Sequence, residues 1–62
     1  MTLWRVTGER IIRHRRQPFC AGILVDEQGI VRRTAPILAG MKGWAIGAAR
    51  RVRPQYVFEE LI

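Results

Sequence analysis

Nine of the ten arginines in this chain fall into three clusters: Arg10, Arg13, Arg15 and Arg16; Arg32 and Arg33; and Arg50, Arg51 and Arg53. A guanidinium is planar and always charged, grips phosphate or carboxylate through paired hydrogen bonds, and stacks on nucleobases. The chemistry offered is therefore ionic recognition of nucleic-acid phosphates or of an acidic protein surface. Four of the five acids sit apart from the clusters, as Asp26 and Glu27 and as Glu59 and Glu60, and the formal net charge is +6 with a pI near 11.4. Arg13, Arg15, Arg16, Arg32, Arg33, Arg50, Arg51 and Arg53 are the candidate binding residues. The competing explanation is a merely solvated basic surface, drawn from a G+C-rich genome that supplies arginine where another would supply lysine. Whether the clusters converge depends on which sheet edge the segment from Arg10 to Arg16 occupies.

Other chemistry finds little support. Asp26 and Glu27 are adjacent and diverge, as do Glu59 and Glu60, so neither makes an acid/base pair. His14 and Cys20 are the only histidine and cysteine, too few for a zinc site, and Gly40 to Gly43 lacks the spacing of a phosphate loop. The expectation is a non-enzyme with no metal and no cofactor. Direct base reading by a helix-turn-helix, zinc finger or ribonucleoprotein motif has no counterpart here. Trp4, Trp44 and Tyr56 are expected at the core or its rim.

The elements that must position the arginines centre on Phe19–Leu38. Phe19, Ile23, Leu24 and Val25 favour a strand, Asp26 opens and Gly29 closes a type I turn, and Ile30 and Val31 begin the return. Two registers compete. With Gly29 as the left-handed residue of a three-residue loop, Val25 faces Val31, Ile23 faces Arg33 and Ala21 faces Ala35; with a four-residue loop, Val25 faces Ile30, Ile23 faces Arg32 and Gly22 faces Arg33. Both put an arginine opposite Ile23 and split Arg32 from Arg33 across the two faces.

Around this hairpin, Leu3–Thr7 alternates as a short strand punctuated by Thr7 and Gly8. Arg10 to Arg16 reads as a second strand after a turn, or as one helical turn. Pro18, lacking an amide donor, places the start of the central ladder at Phe19. Pro36 opens a helix carrying Ile37, Leu38 and Met41, and a second helix runs from Gly43 or Trp44 to Val52, ended by Pro54. Gly43, Trp44, Gly47 and Ala48 then form a smooth face, either packed on the sheet or serving as a homo-oligomer seam. Gln55–Ile62 closes the sheet, with Tyr56 and Phe58 on one side and Val57 and Glu59 on the other. The fold class is α+β: one small domain over 1–62, an antiparallel sheet centred on the 19–35 hairpin, with one or two short helices packed on it.

A chain this short buries only about 60% of its unfolded surface, so oligomerisation is a reasonable source of extra stability. Cys20, alone in an apolar strand, is expected as a small buried hydrophobe. Trp4, Arg5 and Glu9 interrupt any signal-peptide core, so a cytoplasmic location is expected. The apolar stretch from Thr34 to Ala49 is shorter than the ~20 residues a membrane helix needs and is broken by Pro36, Lys42 and glycines.

Trp4-Arg5-Val6, then Phe19-Cys20-Ala21-Gly22-Ile23-Leu24-Val25, then Val31 to Leu38 with Ala35-Pro36-Ile37-Leu38 and a later Gly43, together resemble a group of very small phage and prophage proteins. The resemblance covers roughly half of the chain and brings no settled activity. It implies a strand–turn–strand unit followed by a short helix, with Gly8–Gln17 as an addition and the alanine-arginine helix as a departure. By that resemblance the protein acts by occupying a surface in the host cytoplasm. The leading expectation is a small non-catalytic binding protein that engages a nucleic acid or a host nucleoprotein complex through its arginines, including as an inhibitor of CRISPR-type defence. The alternatives are a homo-oligomeric assembly protein and a non-specific DNA- or RNA-binding protein.

Overall fold

A computed structural model describes all residues, 1–62, as an elongated body of 37 × 20 × 18 Å. Its frame is a long hairpin of β1 (Thr2–Ile12) and β2 (Arg15–Val25), antiparallel and paired without a break from Thr2↔Val25 to Ile12↔Arg15. The shorter strands β3 (Val31–Thr34) and β4 (Val57–Glu60) flank it, giving the order β3-β2-β1-β4. A 3₁₀ segment (Pro36–Met41) and one helix, α1 (Ile46–Val52), lie between β3 and β4 in sequence. The small α+β sheet with short helices is as the sequence implies, but it centres on the β1–β2 hairpin, and the expected 19–35 hairpin forms one side of it because β1 extends the full length of β2.

Cross-strand partners share a face, and the register therefore sorts the sheet. Val6, Ala21, Ile23, Val25 and Val31 form the inner face, which packs on Leu38, Met41 and Ala49 to make the whole buried core. Trp4, Phe19, Trp44, Tyr56 and Phe58 rim it. Phe58 pairs with Val6, so Tyr56 and Phe58 point inward and Val57 and Glu59 outward, as their alternation requires. The outer face has no covering layer. Arg5 and Glu59, opposite each other there, form an ion pair, with Arg5 Nε 3.0 Å from Glu59 Oε1.

The β2–β3 turn follows the three-residue register at its start. The Gly29 amide donates to the Asp26 carbonyl at 3.0 Å, Gly29 takes φ +81°, and Val25 pairs with Val31. Beyond that, a bulge inserts Arg32, so Arg33 faces Leu24 and Thr34 faces Ile23. No arginine lies opposite Ile23, and the expected split of Arg32 and Arg33 does not occur: the extra residue resets the alternation, and both are exposed. Asp26 fixes this turn. Its Oδ1 accepts from the amides of Gln28 and Ile30, each at 2.9 Å, and its Oδ2 accepts from Arg32 Nε at 2.6 Å. The Ile30 amide, then the Arg32 guanidinium, hold the carboxyl below the usual carboxylate range against a smaller opposing effect of desolvation.

Four other expectations are corrected. Arg10 to Arg16 is neither a separate strand nor a helical turn: β1 runs through Gly8 to Ile12, and the chain reverses at Arg13–His14. Pro18 lies inside β2, opposite Glu9, tolerated because β3 does not extend that far and β2 is an edge strand there. Cys20 is exposed, since alternation from buried Ala21 puts it on the uncovered outer face. Gly43 and Trp44 do not begin the second helix. Gly43 turns at φ +91°, and Trp44 and Ala45 pass beside the start of β3, with Ala45 bridging Ile30, Val31 N–H donating to Trp44 O and Gly43 N–H to Val31 O, both at 2.8 Å. These contacts hold the chain out of helical geometry until Ile46.

Gly8 stays within β1 because Tyr56 lies over it. A Cβ there would stand 2.6 Å from Tyr56 Cδ1 and 3.3 Å from Phe19 Cε1. Gly8→Ala is expected to cost about 1–3 kcal/mol, read as a lower urea midpoint; an unchanged midpoint would show that Tyr56 does not pack there. A depressed carboxyl stabilises the fold fully above its ordinary value and loses that contribution as pH falls through the lower folded one. Asp26→Asn should therefore start less stable at neutral pH and decline less steeply than the native chain below about pH 4; parallel thermal-melting curves would contradict this.

Candidate functional site

The first arginine cluster forms the end of the long hairpin. β4 pairs with β1 only over Trp4–Thr7, and β3 pairs with β2 only over Ile23–Val25. From Glu9↔Pro18 to Ile12↔Arg15 the two strands therefore run alone, projecting as a ribbon. Four residue steps beyond Gly8, at about 3.4 Å each, give this arm a reach of about 14 Å. All of Glu9–Pro18 is exposed except half-buried Ile12.

The register divides the arm's side chains. Arg10, Ile12, Arg15 and Gln17 continue the inner face; Glu9, Ile11, Arg16 and Pro18 continue the outer one. The inner face thus carries two arginines and no acid, whereas the outer face sets Arg16 against Glu9. Ile11, 74% exposed, is a large apolar side chain standing on this otherwise charged ribbon.

Arg13 and His14 make the tip, with φ of 50° and 67°. Two successive left-handed residues are what a two-residue type I′ hairpin requires, and Asn-Gly is the pair that adopts them at least cost. An arginine and a histidine hold the same geometry under strain. That cost is local to the tip.

At the arm's root, the inner face passes into an aromatic–arginine surface. Phe19 meets Tyr56 edge to face, with ring centroids 5.0 Å apart. Tyr56, Trp44 and Arg53 line a shallow cleft of about 130 Å³ together with Ile37, Leu38, Gly40 and Met41. The Arg53 guanidinium sits 5.9 Å from the centre of the Trp44 ring, and that of Arg50 sits 6.0 Å from Trp4, an inner-face residue. These are cation–π distances, each contact worth about 0.5–1 kcal/mol at exposed sites. Arg50 and Arg53 are thus held on the inner side of the sheet, the side that Arg10 and Arg15 continue.

Arg10 and Arg15 of the first cluster therefore share one side with Arg50 and Arg53 of the third, while Arg16 lies on the outer face and the second cluster stands apart. Arg33 pairs with Leu24 on the outer face, and Arg32 is engaged with Asp26 at the opposite end of β2 from the arm. Gly43, Trp44, Gly47 and Ala48 do not form a single helical seam, because the first two precede α1. The Arg51 guanidinium also lies over Gly47, with one nitrogen 3.7 Å from where a Cβ would stand. Arg10 belongs with the site although the candidate set omits it; the alternation beginning at Leu3, carried on through Ile12, is the signal that places it. The Arg13–His14 reversal has no such signal. No family model, curated protein or solved structure matches the chain.

Replacing the tip by the pair that its backbone favours, Arg13→Asn with His14→Gly, is expected to stabilise the protein by about 1–2 kcal/mol. Thermal unfolding reads this directly, and a lower melting temperature would show that the tip is unstrained.

Proposed function

We propose that this protein is a non-catalytic binding protein that engages nucleic-acid phosphates through Arg10, Arg13, Arg15 and Arg16 of the arm, with Arg50, Arg51 and Arg53 at the end of α1. The observation that carries this reading is the arm itself: a two-stranded ribbon, unflanked on either side, bearing four arginines and one acid. A structural hairpin has no need to extend past its neighbours with charge on both faces. The aromatic rim at the root adds flat surfaces of the kind on which bases stack.

The mechanism is electrostatic and steric. Each neutralised phosphate releases condensed counterions, and the projecting ribbon then occupies the nucleic-acid path. In the phage setting that the resemblance implies, such occupation would block a host nucleoprotein complex, CRISPR-type defence included. The target class rests on the basic arm; the host complex rests on the resemblance alone.

A second reading, a homo-oligomer, is favoured by the uncovered outer face, where Leu3, Cys20, Leu24, Val57 and Leu61 stand with no layer over them. Only eight residues are buried, so a second copy packed there would add materially to a small core. Light scattering on a sizing column separates the two readings: a dimer abolished by Leu24→Asp but unaffected by arm variants supports assembly.

For the first reading, fluorescence anisotropy with labelled nucleic acid is the test. With about four phosphates neutralised, affinity should fall by roughly two orders of magnitude between about 50 and 200 mM salt. Arg10→Glu with Arg15→Glu should remove binding, whereas Arg33→Glu should alter it by less than about threefold. No retention at the lowest salt would sink the proposal.

A further inference from the structure

Nucleic acids differ in the grooves they present, and the arm has dimensions that only some of them fit. Two strands lie about 4.8 Å apart, and side chains widen the ribbon further. The minor groove of B-form DNA, about 6 Å wide, is too narrow for it, while the major groove, about 12 Å wide and 8.5 Å deep, admits a two-stranded ribbon. Lying along that groove, the reach of about 14 Å spans about four base pairs. The major groove of an RNA duplex is deep and too narrow for side chains to read, and a single strand has no groove.

We propose that the arm enters the major groove of double-stranded DNA with Arg13 and His14 leading, its Arg10–Ile12–Arg15–Gln17 face toward the base edges. This rests on the nucleic-acid reading above and specifies its ligand. The choice of face follows from charge, because the arm's inner face, Arg10, Ile12, Arg15 and Gln17, carries no acid while Glu9 lies on its outer one. It also follows from the α1 end, where Arg53 beside Trp44 and Arg50 beside Trp4 add positive charge on that same side. Arg10 and Arg15 are of the type that donates to guanine O6 and N7, Gln17 of the type that pairs with adenine, and Ile12 offers an apolar surface to a thymine methyl.

The strained tip is the second, independent observation. Asn-Gly would hold the same reversal at lower cost, so the arginine and histidine there are a stability loss that the fold itself does not require. In the groove, Arg13 and His14 would gain donors' contacts that Asn and Gly cannot replace. Tip stability and DNA affinity should therefore move in opposite directions.

The experiment compares the full chain against a DNA duplex two helical turns long, an RNA duplex of the same sequence and the single DNA strand, by anisotropy in about 0.1 M salt. The DNA duplex should bind at least about tenfold more tightly than either competitor. Arg13→Asn with His14→Gly should raise the melting temperature yet weaken DNA-duplex binding about tenfold, and Arg10→Ala or Arg15→Ala should weaken it more than Arg16→Ala. Equal affinity for all three polyanions, with arm variants losing equally on each, overturns groove entry while leaving phosphate binding intact. Absence of binding to any of them overturns the nucleic-acid reading as well.

Discussion

The unbroken ladder between β1 and β2 governs everything else in this structure. Eleven residues pair with eleven, but β3 and β4 supply only four each, so the flanking strands and the helical layer can cover only one end of the hairpin. At that end the alternation drives Val6, Ala21, Ile23 and Val25 into the core. At the other end the same alternation has no layer to bury against, and its positions are filled by Arg10, Arg15, Gln17 and the half-buried Ile12. One periodic pattern thus yields a folded body and a charged arm, distinguished only by whether a neighbour is present.

Two contacts set the boundary between body and arm. Tyr56 meets Phe19 edge to face and rests on the bare backbone of Gly8, closing the inner face where the arm begins. At the far end, Asp26 gathers two amides and Arg32, which fixes the tight turn that sets Val31 opposite Val25. The acidic turn and the basic tip lie at opposite ends of β2. Arg32 of the second cluster serves the turn, while Arg10 and Arg15 of the first share a side of the sheet with Arg50 and Arg53 of the third.

Much of this was legible in the residues. The Asp26–Gly29 turn, the inward and outward assignment of Tyr56 through Glu59, the rim position of the tryptophans and the α+β class all follow from local chemistry with short-range causes. What failed depended on partners distant in sequence. Gly8 reads as a breaker until Tyr56 is found above it. Pro18 reads as a strand start until β2 proves to be an edge there, and Cys20 reads as buried until the sheet proves to be covered on one face only. The bulge at Arg32 has no sequence signature, and the reversal at Arg13–His14 has none because it uses residues that left-handed geometry does not favour. For the candidate site the three clusters were visible, but their grouping was not: it required knowing that β1 runs to Ile12.

The central claim is that the arm's inner face, with the adjoining α1 end, is the surface that meets DNA. Amide chemical shifts followed by NMR during titration with a short DNA duplex test it most directly. The account predicts the largest changes from Arg10 to Gln17, with smaller ones at Arg53 and Tyr56, and little change at Cys20, Leu24 and Arg33. Changes centred on Cys20, Leu24 and Arg33, with the arm unaffected, would contradict it.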